Sequence, residues 1–187
     1  MKKIILATSS NFKSSLLKNA GIEHTCIKTN FKEISNETNI YEWAKDIAFG
    51  KANEVVKKIK EKNIIVIGVD TIVYCNSKIY NKPISLEKAY ENMKELNNKT
   101  SSVITGVCLI NKENGNILKE YCETLITLNN MTDDEIKYYI NNEKDILSAS
   151  GFIVENILSR HISKIEGSYV NVLGMPNETI YKMLKRI

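Results

Sequence analysis

The chain has 187 residues, a formal net charge of +4 and 43% hydrophobic residues. That length allows one large domain or two small lobes with a substantial core. The basic residues are scattered except for short clusters at 57–60 and 182–186, both on predicted helices. A protein that binds duplexes would carry a denser basic stripe, and one that binds single strands would interleave basic and aromatic residues. Composition therefore predicts a globular protein with no nucleic-acid partner.

The four cysteines are spread along the chain without a CxxC pair. This spacing favours buried thiols in a reducing compartment over a zinc site. No apolar segment approaches the roughly 20 residues that span a bilayer. The apolar stretch at 4–7 is also too short for a signal peptide. We therefore predict a cytoplasmic protein with no membrane partner.

The first half of the chain alternates predicted strands and helices. Ser10 and its neighbours offer helix N-caps, Gly21 ends the first helix, and Asn76-Ser77 is the centre of a predicted hairpin. In chain order, the predicted elements are a strand at 4–7, a helix at 15–20, a strand at 25–29, a helix at 40–62, a strand at 64–69 and a hairpin that joins 71–75 to 78–80.

The second half combines helices with a predicted pair of antiparallel strands. Ser85 precedes a helix, Thr132 and Glu135 have the spacing of a capping box, and Asn177 is predicted to cap the last helix. The predicted elements are a helix at 86–96, strands at 102–110 and 117–128 joined by a turn at 113–116, a helix from 133 to about 141, and a helix at 178–185. This order predicts an α/β fold with a mixed sheet and flanking helices.

The first candidate for chemistry is Asp70, which follows the run of β-branched residues at 64–69. Such an apolar run is typical of a strand that is buried on both faces. An unpaired carboxylate at its end is costly to desolvate, so we expect Asp70 where the strand meets solvent or a metal. Lys82, twelve positions later, is a candidate partner for an anionic group. The two residues together suggest enzyme chemistry on a phosphate compound.

The first loop is a second candidate site. It joins a strand to a helix N-terminus, where exposed amides attract anions, and Ser10 adds a hydroxyl and Lys13 a positive charge. The loop contains no glycine, which excludes a P-loop and a dinucleotide fingerprint. A capping serine beside a solvated lysine is the alternative interpretation.

Two further charged residues acquire a role only if the fold brings them to Asp70. Glu33 and Asp70 would then share a hard divalent cation, which requires oxygen ligands. Lys51 would join Lys13 and Lys82 in neutralising a polyphosphate. Otherwise Glu33 and Lys51 are ordinary surface charges.

The opening segment at 5–17, ILATSSNFKSSLL, resembles the ILASxSPRRxxLL motif of the Maf family of nucleoside triphosphate pyrophosphatases. The resemblance continues, in the order of the family, over essentially the whole chain. Each block is common by itself, but together they are specific. The later blocks are Lys51-Ala52, GVDT at 68–71, Lys82-Pro83, Thr105-Gly106 and GSYVNVLGMP at 167–176.

The resemblance implies one Maf-like domain over residues 1–187, with two lobes around a central cleft on a twisted mixed sheet, as in inosine triphosphatases. It also implies a homodimer and a Mg²⁺- or Mn²⁺-dependent hydrolase that acts on acid anhydrides. That hydrolase would cleave a nucleoside triphosphate between the α- and β-phosphates and release a monophosphate and pyrophosphate. Asp70 would be catalytic and, with Glu33, would bind the metal. The implied substrate-binding residues are Ser10, Phe12, Lys13, Lys51, Lys82 and Glu155.

The chain departs from the family in its first loop. The usual Pro-Arg-Arg is Asn11-Phe12-Lys13 here. Lysine neutralises phosphate but does not make the bidentate contact of a guanidinium group. We therefore expect weaker binding or a loss of activity.

The motifs disagree about which nucleotide base the protein would bind. Phe12 and Glu155, which lies in the segment 149–156, resemble the 7-methyl-GTP branch. An aromatic face suits a cationic methylated purine, and a carboxylate accepts hydrogen bonds from guanine N1–H and N2–H. Thr71 and the segment 167–172 resemble the dTTP/UTP branch instead. Of the two we favour the purine, while core packing of Phe12 and an exposed loop charge at Glu155 are the alternatives without function.

A rival function is a non-catalytic nucleotide-binding regulator of septum formation and cell division. The loss of both first-loop arginines favours it. The retention of Glu33, Lys51, Asp70 and Lys82 favours the enzyme.

Overall fold

The computed structural model describes residues 2–147 and 150–187. Met1, Ser148 and Ala149, the last of which begins the segment 149–156, lie outside the described residues. Seven strands form one sheet in the order β2-β1-β3-β5-β6-β7, and β4 pairs with β3. This confirms the predicted mixed α/β class. The strands are β1 Lys3–Ala7, β2 Thr25–Ile27, β3 Ile64–Cys75, β4 Lys78–Tyr80, β5 Thr100–Asn111, β6 Ile117–Leu128 and β7 Ile162–Glu166.

Six α-helices flank the sheet within the described ranges, together with a 3-10 helix at Ile157–His161. Over the same residues, no helix has the length and apolar character that a membrane crossing requires. The helices are α1 Asn11–Asn19, α2 Ile40–Lys58, α3 Leu86–Leu96, α4 Asp133–Asn142, α5 Tyr169–Val172 and α6 Asn177–Leu184.

The chain divides into two compact units. Unit 1 comprises Met1–Thr71, Ile104–Cys122 and Val170–Ile187, and unit 2 comprises Ile72–Val103 and Glu123–Tyr169. The chain passes from one unit to the other within β3, β5, β6 and α5. Each unit is described by itself below.

In unit 1, the sheet is covered by helices on both faces. β1 pairs in parallel with β2 and with β3, and Ile5 is opposite Thr25 on one side and Val66 on the other. Alternate strand residues therefore point to opposite faces. One face packs on α1 and α6 through Leu17, Ile180 and Met183. The other packs on Ala48, Ala52 and Val55 of α2.

Two glycines allow α2 to approach the sheet closely. A Cβ atom at Gly68 of β3 would lie 2.9 Å from the Ala52 nitrogen of α2, and one at Gly106 of β5 would lie 2.7 Å from the Lys45 nitrogen. Real Cβ atoms essentially never come within 3.0 Å of such atoms. The helix backbone therefore lies against the strands where a larger residue would hold it away.

Unit 2 contains the predicted hairpin and two capped helices. Val73 pairs with Tyr80 in the β3–β4 hairpin, whose turn residues Asn76 and Ser77 have φ values of 50° and 60°. Two consecutive positive φ values are typical of a type I′ turn. The capping box of α4 is confirmed, because Thr132 accepts from the Glu135 nitrogen and the Glu135 carboxylate accepts from the Thr132 nitrogen.

The expectation of buried thiols is wrong for Cys26, which is exposed. Three expectations about strands and helices are also wrong. β3 does not end before Asp70 but continues to Cys75, because the polar residue is accommodated by a partner described below. Asn177 does not cap α6: its side-chain nitrogen donates to the Leu16 carbonyl at 3.1 Å, and within the described residues Pro176 occupies the cap position without a side-chain hydrogen bond. The long helix ends at Lys58, since Ile59 is already extended.

Candidate functional site

The first loop of unit 1 places Ser10 at the N-cap of α1. The Ser10 hydroxyl accepts a hydrogen bond from the Lys13 nitrogen at 3.2 Å, and the Ser10 nitrogen donates to the Thr8 hydroxyl at 3.1 Å. Phe12 lies in the first helical turn with 48% of its surface exposed. Core packing of Phe12, the alternative without function, is therefore wrong. The loop presents a helix N-terminus with an exposed aromatic ring beside it.

Lys13 extends from α1 towards the residue that follows Asp70. Its Nζ donates to the Thr71 hydroxyl at 3.3 Å, and that hydroxyl is 3.0 Å from the Thr105 hydroxyl. A Cβ atom at Gly174 would lie 3.1 Å from Lys13 Cε, and Gly174 has a φ of 83°. Glycine at this position therefore leaves the space that the lysine side chain occupies.

Lys51 of α2 joins the two predicted metal-binding carboxylates. Its Nζ donates to Glu33 Oε1 at 2.6 Å and to Asp70 Oδ1. The Lys51 side chain is only 13% exposed and that of Asp70 only 8%, whereas Glu33 is 46% exposed. The surface-charge alternative is therefore wrong for Lys51. Two acidic residues that are 37 positions apart in the chain converge on one ammonium group.

The charges of this group influence one another strongly. Burial raises the pKa of Asp70, and the positive charges of Lys51 and Lys13 oppose this rise. Burial by itself lowers the pKa of Lys51, but attraction to Asp70 and Glu33 outweighs it, so the pKa of Lys51 is raised. Lys51 is thus protonated throughout the neutral range. A buried carboxylate with a raised pKa and a charged partner is a frequent feature of catalytic sites.

The donor set of Glu33 and Asp70 is suited to a hard divalent cation. Carboxylate oxygens are the ligands that Mg²⁺ and Mn²⁺ take. Within 2–147 and 150–187 there is no group of three His, Cys, Asp or Glu residues that could hold a metal by itself. Mg²⁺ is usually bound by one or two carboxylates together with substrate phosphates. The pair therefore fits an ion that is shared with a phosphorylated ligand.

Thr71 and Gly174 lie beside Lys13, and Thr105 contacts Thr71, but the sequence singled none of the three out as a ligand. Thr71 appeared only as a mark of one family branch, and Thr105 and Gly174 only as parts of motifs. The hydroxyl of Thr71 also lies 3.4 Å from the Gly174 carbonyl oxygen. These contacts join segments that are more than 30 residues apart in the chain. The only sequence signal was their presence in the quoted motif blocks.

Lys82 and Glu155 belong to unit 2, and both are exposed. The segments that carry them approach each other, because a Cβ atom at Gly151 would lie 3.6 Å from Pro83 Cγ. The convergence of these two residues with Lys13, Lys51 and Asp70 on one ligand stays a prediction.

A mixed sheet with flanking helices defines an α/β protein of the type seen in a Ham1 protein. The solved structure of the Staphylococcus aureus Ham1 protein has a TM-score of 0.50 with 14% identity, covering 68% of this chain and 72% of that one. At this identity the likeness concerns the fold alone.

The family described as Maf-like protein matches residues 3–187, so the chain belongs to the Maf family. A relative from Thermosipho melanesiensis, named dTTP/UTP pyrophosphatase, is 37% identical over 182 residues, which are 97% of this chain and 96% of the relative. A relative of the same name from Thermoanaerobacter sp. (strain X514) is 33% identical over 184 residues, with 98% and 96% covered.

Proposed function

We propose that this Maf-family chain is a nucleoside triphosphate pyrophosphatase, which hydrolyses the bond between the α- and β-phosphates and releases a nucleoside monophosphate and pyrophosphate. The observation that carries the proposal is the contact of the Lys51 ammonium group with both Glu33 and Asp70. Lys13 is close enough to Asp70 for its positive charge to lower the pKa of that carboxyl group against the effect of burial. Family membership and relatives named dTTP/UTP pyrophosphatase support the proposal.

The charge of the substrate explains the need for this arrangement. A triphosphate carries roughly four negative charges, and attack by water adds charge to the oxygens of the α-phosphoryl group. Preorganised positive groups stabilise that charge most in the transition state. We assign this role to Lys13 and Lys51 of unit 1. The Ser10 hydroxyl and the N-terminus of α1 bind a phosphate oxygen.

Asp70 has the position and the environment of a base. Its burial raises its pKa, which brings the carboxylate closer to the proton affinity that removal of a water proton requires. Glu33 and Asp70 would hold Mg²⁺ or Mn²⁺, which neutralises phosphate charge and acidifies bound water. Lys51, in contact with both carboxylates, orients them before the substrate binds.

For the base, we propose a uracil or thymine nucleotide. Both relatives named above carry that specificity in their names and match nearly the full length of this chain. Thr71, the residue that resembles the dTTP/UTP branch, is in contact with Lys13. The alternative is a preference for 7-methyl-GTP, which Phe12 and Glu155 suggest. The structural observation that favours this alternative is the exposed ring of Phe12.

Purified protein with Mg²⁺ or Mn²⁺ and a panel of UTP, dTTP, CTP, GTP and 7-methyl-GTP tests the activity and the base together. We expect monophosphate and pyrophosphate from UTP and dTTP. In ¹⁸O-labelled water the label should enter the monophosphate, since water attacks the α-phosphorus. Asp70→Asn should abolish most turnover, while Asp46→Asn on α2 is the matched control. Binding of nucleotides without turnover would favour the non-catalytic regulator, and label in pyrophosphate would contradict attack at the α-phosphorus.

A further inference from the structure

The loop 150–157 of unit 2 carries Glu155. Its first two residues, Ser150 and Gly151, have φ values of 57° and 69°, and residues 151–154 are buried, whereas Glu155 is exposed. The left-handed backbone of Ser150, which unlike Gly151 carries a Cβ atom, is unfavourable without support from outside the loop. Helix α4 provides this support through two side chains.

The first is Tyr139, which is fully buried. Its hydroxyl accepts a hydrogen bond from the Ile153 nitrogen at 2.8 Å and donates to the Gly151 carbonyl at 3.2 Å. Burial raises the pKa of Tyr139, and the negative charges of Glu143 and Glu155 raise it further. One phenol therefore satisfies two backbone groups of the loop and lies near Glu155.

The second is Glu143, one helical turn after Tyr139 and only 7% exposed. Its Oε1 accepts from the Asn156 side-chain nitrogen at 2.9 Å and its Oε2 from the Ile157 nitrogen at 3.1 Å. A carboxylate is unfavourable when it is buried inside a protein, and it is also unfavourable at the C-terminal end of a helix. Because both partners are donors, a carboxylate can satisfy them and an amide can satisfy only one. These two bonds hold the loop just after Glu155, and the bonds of Tyr139 to Gly151 and Ile153 hold it before Glu155.

The loop is also held on its other side. Gly151 lies against Pro83, the neighbour of Lys82, and against Ala89 of α3. Tyr139, Glu143 and Pro83 together therefore fix the backbone of the loop that carries Glu155 beside the segment of Lys82.

We propose that Tyr139 and Glu143 are positioning residues that orient the Glu155 carboxylate towards the base of the nucleotide and so select bases with a ring N–H group. This inference rests on the proposed function. A carboxylate only accepts hydrogen bonds, so it binds the N3–H of uracil or thymine and the N1–H of guanine. Cytosine has a lone pair at N3, which repels the carboxylate. UTP and CTP therefore differ at the atom that Glu155 would contact.

The experiment measures the ratio of kcat/KM for UTP to that for CTP. We expect a ratio well above one in the wild type. The ratio should fall about tenfold in Glu155→Gln, because an amide can accept from uracil N3–H or donate to cytosine N3 and so discriminates less. A hydrogen bond to a charged group contributes about a tenfold difference in affinity. Tyr139→Phe and Glu143→Gln should each lower it severalfold. Loss of stability cancels in this ratio, because both nucleotides meet the same folded fraction.

A double-mutant cycle separates positioning from a general structural role. In the Glu155→Gln background, Tyr139→Phe and Glu143→Gln should leave the ratio unchanged. Tyr138→Phe, next to Tyr139 but half-exposed, is the matched control and should retain the wild-type ratio. Amide hydrogen exchange at Ile153 and Ile157 should be faster in the variants that lose the corresponding bond.

The outcomes distinguish the two proposals. If UTP is hydrolysed but both loop variants keep the wild-type ratio, the positioning role is wrong and the proposed function stands. If no nucleotide is hydrolysed, the proposed function is wrong, and the ratio of Kd values for UTP and CTP in the same variants then decides the role of the loop. A wild-type enzyme that prefers CTP would overturn the assignment of Glu155.

Discussion

Replacement of Gly68 by alanine tests whether the close approach of α2 to the sheet creates the charged site. Gly68 lies in β3, two residues before Asp70, and faces α2 near Ala48 and Ala52. A Cβ atom there would lie 2.9 Å from the Ala52 nitrogen and 3.0 Å from the Ala52 Cβ, and nearer still to the Ala48 carbonyl oxygen. All these atoms are backbone or Cβ atoms, so rotation of a side chain cannot relieve the overlap.

The helix must therefore retreat by about 1 Å in a close-packed interior. Overpacking of this kind costs about 3 kcal/mol, and the lower chain entropy of unfolded alanine recovers somewhat less than 1 kcal/mol. We expect a net loss of about 2 kcal/mol in the free energy of unfolding. Because Lys51 moves with α2, we also expect kcat/KM to fall about 100-fold, the typical effect of a 1 Å misplacement.

Urea unfolding and steady-state release of pyrophosphate measure the two effects. Gly115→Ala in the β5–β6 turn is the comparison, because Gly115 has a φ of 79° and, among the described residues, a Cβ there would have no neighbour within 4 Å. It should cost about 1 kcal/mol through its left-handed backbone and leave kcat/KM unchanged. The reasoning would be refuted if Gly68→Ala lost no more stability than Gly115→Ala, or kept wild-type turnover.

Three further predictions concern charge, thiols and a turn. Lys51→Met leaves Asp70 buried without its ammonium partner and should cost about 3 kcal/mol in urea unfolding. Because the pKa of Lys51 is raised, its contribution is complete below the ordinary value of 10.5, and the difference from the wild type should shrink as the pH rises above that value. In native protein at pH 8, Cys26, which is exposed, should react with a thiol reagent much faster than Cys108, whose pKa burial raises to about 12; equal rates would contradict the buried position. Ser77→Gly should raise the free energy of unfolding by about 1 kcal/mol, since Ser77 has a φ of 60°, and a loss would refute the type I′ turn.

Local chemistry explains why several elements could be predicted. The N-cap at Ser10, the capping box of Thr132 and Glu135, and the turn at Asn76-Ser77 involve residues within three positions of one another. Such contacts have signatures that can be read from neighbouring residues alone. In contrast, β7 was missed. It has only five residues, three of them polar, and its pairing becomes visible only beside β6.

The candidate site residues were predicted partly from their chemistry and partly from the resemblance to the family. The residues that they contact in the fold were not predicted. The sequence indicated Asp70 as a costly carboxylate, and the structure supplies an ammonium group from α2 in place of solvent at a strand end. The contact of Lys13 with Thr71 and the bonds of Glu143 to the loop at 156–157 join distant segments. No spacing in the chain indicates them.

The sequence by itself determined the α/β class, the helix caps at Ser10 and Thr132, the turn at Asn76-Ser77 and the identity of the charged residues, because these depend on neighbours in the chain. Only the tertiary structure decided that Glu33 and Asp70 share Lys51, that Asn177 bonds Leu16 rather than capping its helix, and that Glu143 is buried under the loop of Glu155. These contacts depend on the distance between packed elements. That distance depends on the volume of the side chains between the elements. Gly68 and Gly106 have no side chain, so α2 lies close to the sheet there, and the two glycines become neighbours of α2 only after folding.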